Sequence, residues 1–121
     1  MIFKGTKDLP SLEFIEDEGY IKIWGRAIAT EARLDFWQPL IDKMEDYLKT
    51  PRDIVLHLEL EFFSTPSAKA ILDLLKLIEK KVVKNERILT IKWFSDEDED
   101  SREAGEDFAS MIPHANWEII N

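Results

Sequence analysis

The chain contains no cysteine, which excludes a disulfide frame, a thiolate metal site and a cysteine nucleophile. Glycine is scarce, with four residues and none clustered, so no glycine-rich phosphate loop exists. There are two histidines, His57 and His114, and neither GxSxG nor HExxH occurs. His57 reads as an open-face strand residue with no carboxylate or serine arranged for nucleophilic work. His114, after Pro113, reads as a surface loop residue. Catalysis is not expected, and neither is a metal or a cofactor. No apolar run is long enough for a transmembrane helix. The N-terminal Met-Ile-Phe-Lys-Gly-Thr-Lys-Asp lacks the basic-then-apolar order of a signal peptide. Cytoplasmic residence fits these absences. Basic residues are also in deficit: 16 Lys and Arg against 25 Asp and Glu give a net charge of −9. Nucleic acid and anionic membrane surfaces call for the opposite sign, so the expected partners are proteins.

What is present is an ordinary globular composition, 45% apolar and 34% charged, over 121 residues. That length is enough for one core and one domain, 1–121. Leu12 and Phe14 alternate with Ser11 and Glu13 in a first strand. The Glu16–Gly19 segment is a turn, and Tyr20–Trp24 is a second strand with Ile21 and Ile23 on one face, giving a hairpin. Ile54, Leu56, Leu58 and Leu60 mark a third strand, Leu89, Ile91 and Trp93 a fourth, and Trp117 and Ile119 a short fifth. Between them, Leu34, Trp37, Leu40, Ile41, Met44 and Leu48 follow a helical period. Pro39 interrupts it, so the spacing predicts an irregular turn and then a regular helix from Pro39 to Lys49. Ala68, Ile71, Leu72, Leu75, Ile78 and Val82 form a cleaner stripe opposite Lys69, Asp73, Lys76 and Lys80, and a third helix is expected from about Ser101 to Met111.

The predicted order is β-β-α-β-α-β-α-β. Its central strands alternate apolar with polar residues, whereas strands covered on both faces are apolar throughout. The expected fold is therefore an α/β domain with a mixed five-stranded sheet and helices mainly on one face. Lys22, His57, Glu59, Thr90 and Lys92 are then left towards solvent or a partner.

One junction stands out. After the third strand, Ser64-Thr65-Pro66-Ser67 opens a helix, where the first amides lack intrahelical partners and the dipole is positive. Thr65 as N-cap with Pro66 at the first helical position is a sound start on structural grounds alone, worth about 1 kcal/mol. The same place suits a phosphate, which adds about −1.5 to −2 charges beside free amides. Both readings stay open on local sequence.

The acidic run Asp96–Asp100 reads first as a solvated loop leading into a helix, where the dipole favours negative charge. A partner-docking surface is the second reading and a cation site the third. The DxDxDG order of a calcium loop is missing.

Taken together, several segments resemble the SiaC family of small bacterial regulatory phosphoproteins, built on a STAS-like domain similar to anti-sigma-factor antagonists. Gly5-Thr6-Lys7-Asp8-Leu9-Pro10 is similar to the family's GT-x-x-TP. Gly25-Arg26-Ala27-Ile28 resembles its GRS-[IY], and Phe36-Trp37-Gln38-Pro39-Leu40 its FY-x-PL. Leu60 to Lys69 resembles L-x-YFNTSSSK, and Asp98 to Ala109 its DED…EAGEDFA. The resemblance implies that Thr65 is the phosphoacceptor, with Ser67 a second candidate. It also implies that a GHKL-type kinase and a PP2C-type phosphatase act on it, and that the unphosphorylated form binds and activates an effector such as a diguanylate cyclase. Ser64, Thr65, Ser67 and Lys69 are the expected partner-binding residues. This chain departs from the family pattern at Ser64, Pro66 and Ala68, and Pro66 removes one backbone donor. The competing expectation is a constitutive interaction domain in which Thr65 is only a helix cap.

Overall fold

A computed structural model describes all residues, Met1–Asn121. The elements are β1 (Ile2–Phe3), β2 (Ser11–Ile15), β3 (Tyr20–Ala27), α1 (Leu34–Tyr47), β4 (Ile54–Phe63), α2 (Thr65–Lys84), β5 (Leu89–Phe94), α3 (Glu99–Met111) and β6 (Asn116–Ile120). The six strands form one mixed sheet in the order β1-β2-β3-β4-β5-β6. β1, β2 and β3 pair antiparallel, and β3 to β6 run parallel. Because the strand order never reverses, right-handed crossovers carry every helix to the same face. One core joins Ile21, Ile23, Leu56, Leu58 and Ile91 to buried residues of all three helices. The expected one-sided α/β architecture is observed, with six strands instead of five. The added strand, β1, has two residues and no alternation for sequence reading to detect.

Two helices differ from their predicted bounds. α1 begins at Leu34, with Pro39 inside it. Proline at the sixth helical position leaves only the Asp35 carbonyl without its partner. The first turn stands because Arg33 sits in the left-handed region at φ 49°, where its carbonyl accepts from both Phe36 and Trp37. Its guanidinium also holds Asp35 by two hydrogen bonds of 2.9 Å. Leu34, expected in the apolar stripe, is exposed at this turn. α3 begins two residues earlier than predicted, because Asp98 caps it, its Oδ1 accepting from the amides of Asp100 at 2.9 Å and Ser101 at 3.2 Å.

One register change shapes the functional end of the sheet. Gly25 pairs with Leu60 but Arg26 pairs with Phe62, so Glu61 is an extra residue on β4. A bulge of this kind flips the facing of everything after it. Phe63 turns inward to the rings of Trp93 and Phe108, with centroids 6.1 and 6.0 Å away. Phe62 turns outward and is 58% exposed. Gly25 accommodates the distortion at φ 101°, a region open to glycine. The strand thereby continues to Phe63, three residues past the end predicted from alternation.

Candidate functional site

α2 starts directly at the carboxyl end of β4. Its N-cap is Ser64, not Thr65: Ser64 is extended (φ −81°, ψ 166°), and its Oγ accepts from the Ser67 amide at 3.4 Å. The expected cap is thus displaced by one residue, with Thr65 at the first helical position and Pro66 at the second. Ser64 is tied down on all sides. Its Oγ donates to the Ala29 carbonyl at 2.6 Å and lies 3.0 Å from Ser67 Oγ. Its amide donates to the Ala27 carbonyl, and its carbonyl accepts from Ala68, both at 2.8 Å. The Ile28 amide, next to this anchor, donates to the Asp8 carbonyl at 3.0 Å. The segments around Asp8, Ala27–Ala29 and Ser64–Lys69 therefore converge, which explains how motifs far apart in sequence belong to one place.

Thr65 and Ser67 fare differently. Thr65 is exposed and its hydroxyl makes no hydrogen bond within the chain. Ser67 is 2% exposed and its hydroxyl faces Ser64. Ser67, expected as a second acceptor and as a partner contact, is buried in this fold, because helical spacing turns position 67 inward with Ile71 and Leu74. Lys69 is exposed and lies one turn beyond Thr65, 3.7 Å from Asp73. The cap reading of Thr65 loses its basis, since Ser64 performs that task. Replacing Ser64 by Ala is expected to cost about 1 kcal/mol, and replacing Thr65 by Ala less than about 0.5 kcal/mol, as measured by urea unfolding. Equal losses at both positions would contradict this assignment.

At the same end of the sheet, a cleft of about 530 Å³ opens on the uncovered face between Trp24, Phe62 and Phe94 and the carboxylates of Glu61, Asp96 and Asp98. Asp96 and Glu97 form a left-handed turn (φ 50° and 60°) that leads into the Asp98 cap. The acidic run thus serves as the lead-in to α3 and as one wall of the cleft. No three of its side chains gather in a manner suited to a metal ion.

The open face holds a feature that sequence reading missed. His57 is not isolated: Tyr20 Oη lies 3.0 Å from its Nδ1, Glu59 Oε1 lies 3.1 Å from its Nε2, and Phe94 stacks on the ring at 4.0 Å. The flanking strands supply Tyr20 and Phe94, each two residues along from the directly paired Lys22 and Lys92, and the two-residue period of β4 supplies Glu59. The i, i+2 spacing of His57 and Glu59 was the available signal. No serine or threonine completes a nucleophilic set. Burial is the main cause that lowers the His57 pKa, with Lys22 and Lys92 adding to it and Glu59 opposing. Folding therefore disfavours the imidazolium. Its contribution to stability is full above the ordinary value of 6.5 and is lost as pH falls from there through the lower folded-state pKa. Replacing His57 by Gln is expected to flatten the fall in urea midpoint between about pH 7 and pH 5.5. An unchanged slope would contradict the burial effect.

The sequence model of the SiaC family regulatory phosphoprotein matches residues 3–121. No curated protein matches the chain. Among solved structures, SiaC of Pseudomonas aeruginosa in the crystal structure of the diguanylate cyclase SiaD with its activator SiaC is similar at TM-score 0.89 and 23% identity, covering 99% of this chain and 98% of that one. The apo-SiaC crystal structure from the same organism is similar at TM-score 0.88 and 22% identity, covering 100% and 98%. A further P. aeruginosa SiaC structure is similar at 0.77 and 20%, covering 100% and 95%. At these identities the structures establish the fold, and the family match, spanning nearly the whole length, establishes membership. The chain belongs to the SiaC family of regulatory phosphoproteins.

Proposed function

We propose that this chain is a partner-switching phosphoprotein, residues 1–121 forming one regulatory domain, in which Thr65 is the reversible phosphorylation site. The observation that carries the proposal is the division of labour at the start of α2. Ser64 performs the capping and anchoring, which leaves the neighbouring hydroxyl of Thr65 exposed and without a bonding role in the fold. A side chain in that position can be modified at little cost to the domain. A GHKL-type kinase adds the phosphate from ATP in the cytoplasm, and a PP2C-type phosphatase removes it.

The unphosphorylated form binds and activates an effector, for which a diguanylate cyclase is the best-supported choice given the activator complex of the P. aeruginosa relative. Exposed Phe62, Thr65 and Lys69 supply the docking surface on this reading, with the acidic cleft beside them. The protein acts by binding, with no catalysis of its own.

The test is intact-mass analysis after incubation with ATP and the cognate kinase, followed by peptide mapping. One added phosphate at Thr65, absent from Thr65→Ala, is expected. Modification only elsewhere would refute the assignment.

A further inference from the structure

We infer that the phosphate on Thr65 is held by Lys69 and not by the amides of the helix start, so that Lys69 is the phosphate-binding residue of the switch. This rests on the reading that Thr65 is the modified residue. A helix N-terminus ordinarily offers free N–H groups to an anion, but here that supply is nearly exhausted. Pro66 has no N–H. The Ser67 amide is taken by Ser64 Oγ, and the Ala68 amide by the Ser64 carbonyl. Only Thr65's own amide is left in the first turn.

The phosphate must then find its countercharge among side chains. Lys69 lies four residues on, where helical neighbours have Cβ atoms about 5–6 Å apart. It is exposed, and its present partner is Asp73 at 3.7 Å on the far side. Phosphothreonine wins this competition on two counts. It carries about −1.5 to −2 charges where Asp73 carries one. It also stands N-terminal to the lysine, the favourable order for an i, i+4 pair, whereas Asp73 stands C-terminal to it. Of the arginines on neighbouring segments, Arg33 is already held by both carboxylate oxygens of Asp35, and the Arg26 guanidinium lies over the Phe62 ring at 5.6 Å. Glu61, on the bulge before the site, adds a negative charge and no alternative partner. Phosphorylation therefore does two things at once: it places a dianion on the surface and withdraws Lys69 from whatever that side chain contacts.

The test places phosphothreonine at position 65 of the full chain by genetic encoding, so that neither kinase nor effector enters the readout. The second ionisation of the phosphate, near pH 6 when free, is followed by phosphorus NMR. A nearby ammonium favours the dianion, so the midpoint in the otherwise native chain is expected below that of Lys69→Gln. Lys69→Arg should restore the low midpoint, and Asp73→Asn, which frees the lysine, should lower it further. All three positions are exposed, so folding is not at stake, and amide spectra check it. Equal midpoints in the native chain and Lys69→Gln would overturn the inference, most clearly if both lay far below a free phosphothreonine peptide, since the backbone would then be the binder. A kinase that ignores Thr65 would instead refute the switch and leave this titration unaffected.

Discussion

Stoichiometric phosphorylation of Thr65 is expected to weaken the complex with the effector by about 10²- to 10⁴-fold. The figure follows from the cost of a charge left without its proper partner in a closed interface, about 3–5 kcal/mol, with each 1.4 kcal/mol worth about a factor of ten. A complete reversal of a two-state population requires about 10⁴-fold, so one phosphate reaches the required range only when the hydroxyl lies inside the contact. Exposed Phe62, three residues upstream, supplies the apolar area that would exclude water from that contact. Thr65→Ala should bind as the unmodified protein does and ignore the kinase. Thr65→Glu, with less charge and a different shape, should fall between the two. Calorimetric titration of the phosphorylated and unphosphorylated forms against the proposed cyclase effector is the direct measurement. Equal affinities would remove Thr65 from the interface and end the switch reading.

Truncating Trp93 to Ala is expected to cost about 3–5 kcal/mol of stability. The ring is 1% exposed, with Phe108 at 5.4 Å, and its Nε1–H donates to the Ser101 carbonyl at 2.9 Å. Truncation leaves a cavity and removes this second hydrogen bond to a helical carbonyl. Gly105 on α3 lies against the same ring: a Cβ there would sit 2.7 Å from Trp93 Cδ1 and 2.9 Å from Cγ and Nε1. Gly105→Ala is therefore expected to cost about 1–3 kcal/mol by overpacking, and less in a Trp93→Phe background, whose smaller ring gives room. Urea unfolding of the four proteins in this cycle reads the coupling. Additive losses would mean that ring and glycine do not constrain each other. Phe63 meets the same ring edge-on, so this packing extends to the residue immediately before Ser64. Loosening it is expected to loosen the start of α2 as well.

Much of the domain was legible in the residues themselves. The two-residue alternation of β3, β4 and β5 determined which side chains meet the core, and the stripe from Ala68 to Val82 determined α2. The alternation of apolar and polar residues in the central strands also determined that the helices cover one face, because a doubly covered sheet leaves no room for Lys22, His57 and Lys92. Those signals are local and periodic, so they survive without knowledge of the neighbours. The family motifs, including the segment around Thr65, are equally a property of the linear chain.

Other features depended on what the chain meets in space. The bulge at Glu61 comes from the register of β4 against β3, and it reverses Phe62 and Phe63. The cap passed from Thr65 to Ser64 because the Ala27 and Ala29 carbonyls, at the end of β3 and just after it, hold Ser64 in the extended conformation that capping needs. Ser67 became inaccessible because position 67 faces the core, and His57 acquired Tyr20 and Phe94 from adjacent strands. Sequence alone determined the three helices, the five longer strands and the candidate switch, though not every boundary. Tertiary structure decided which hydroxyl holds the fold together and which is left exposed and unbonded, because hydrogen-bond partners are allotted by strand register and loop contact, which no local pattern encodes.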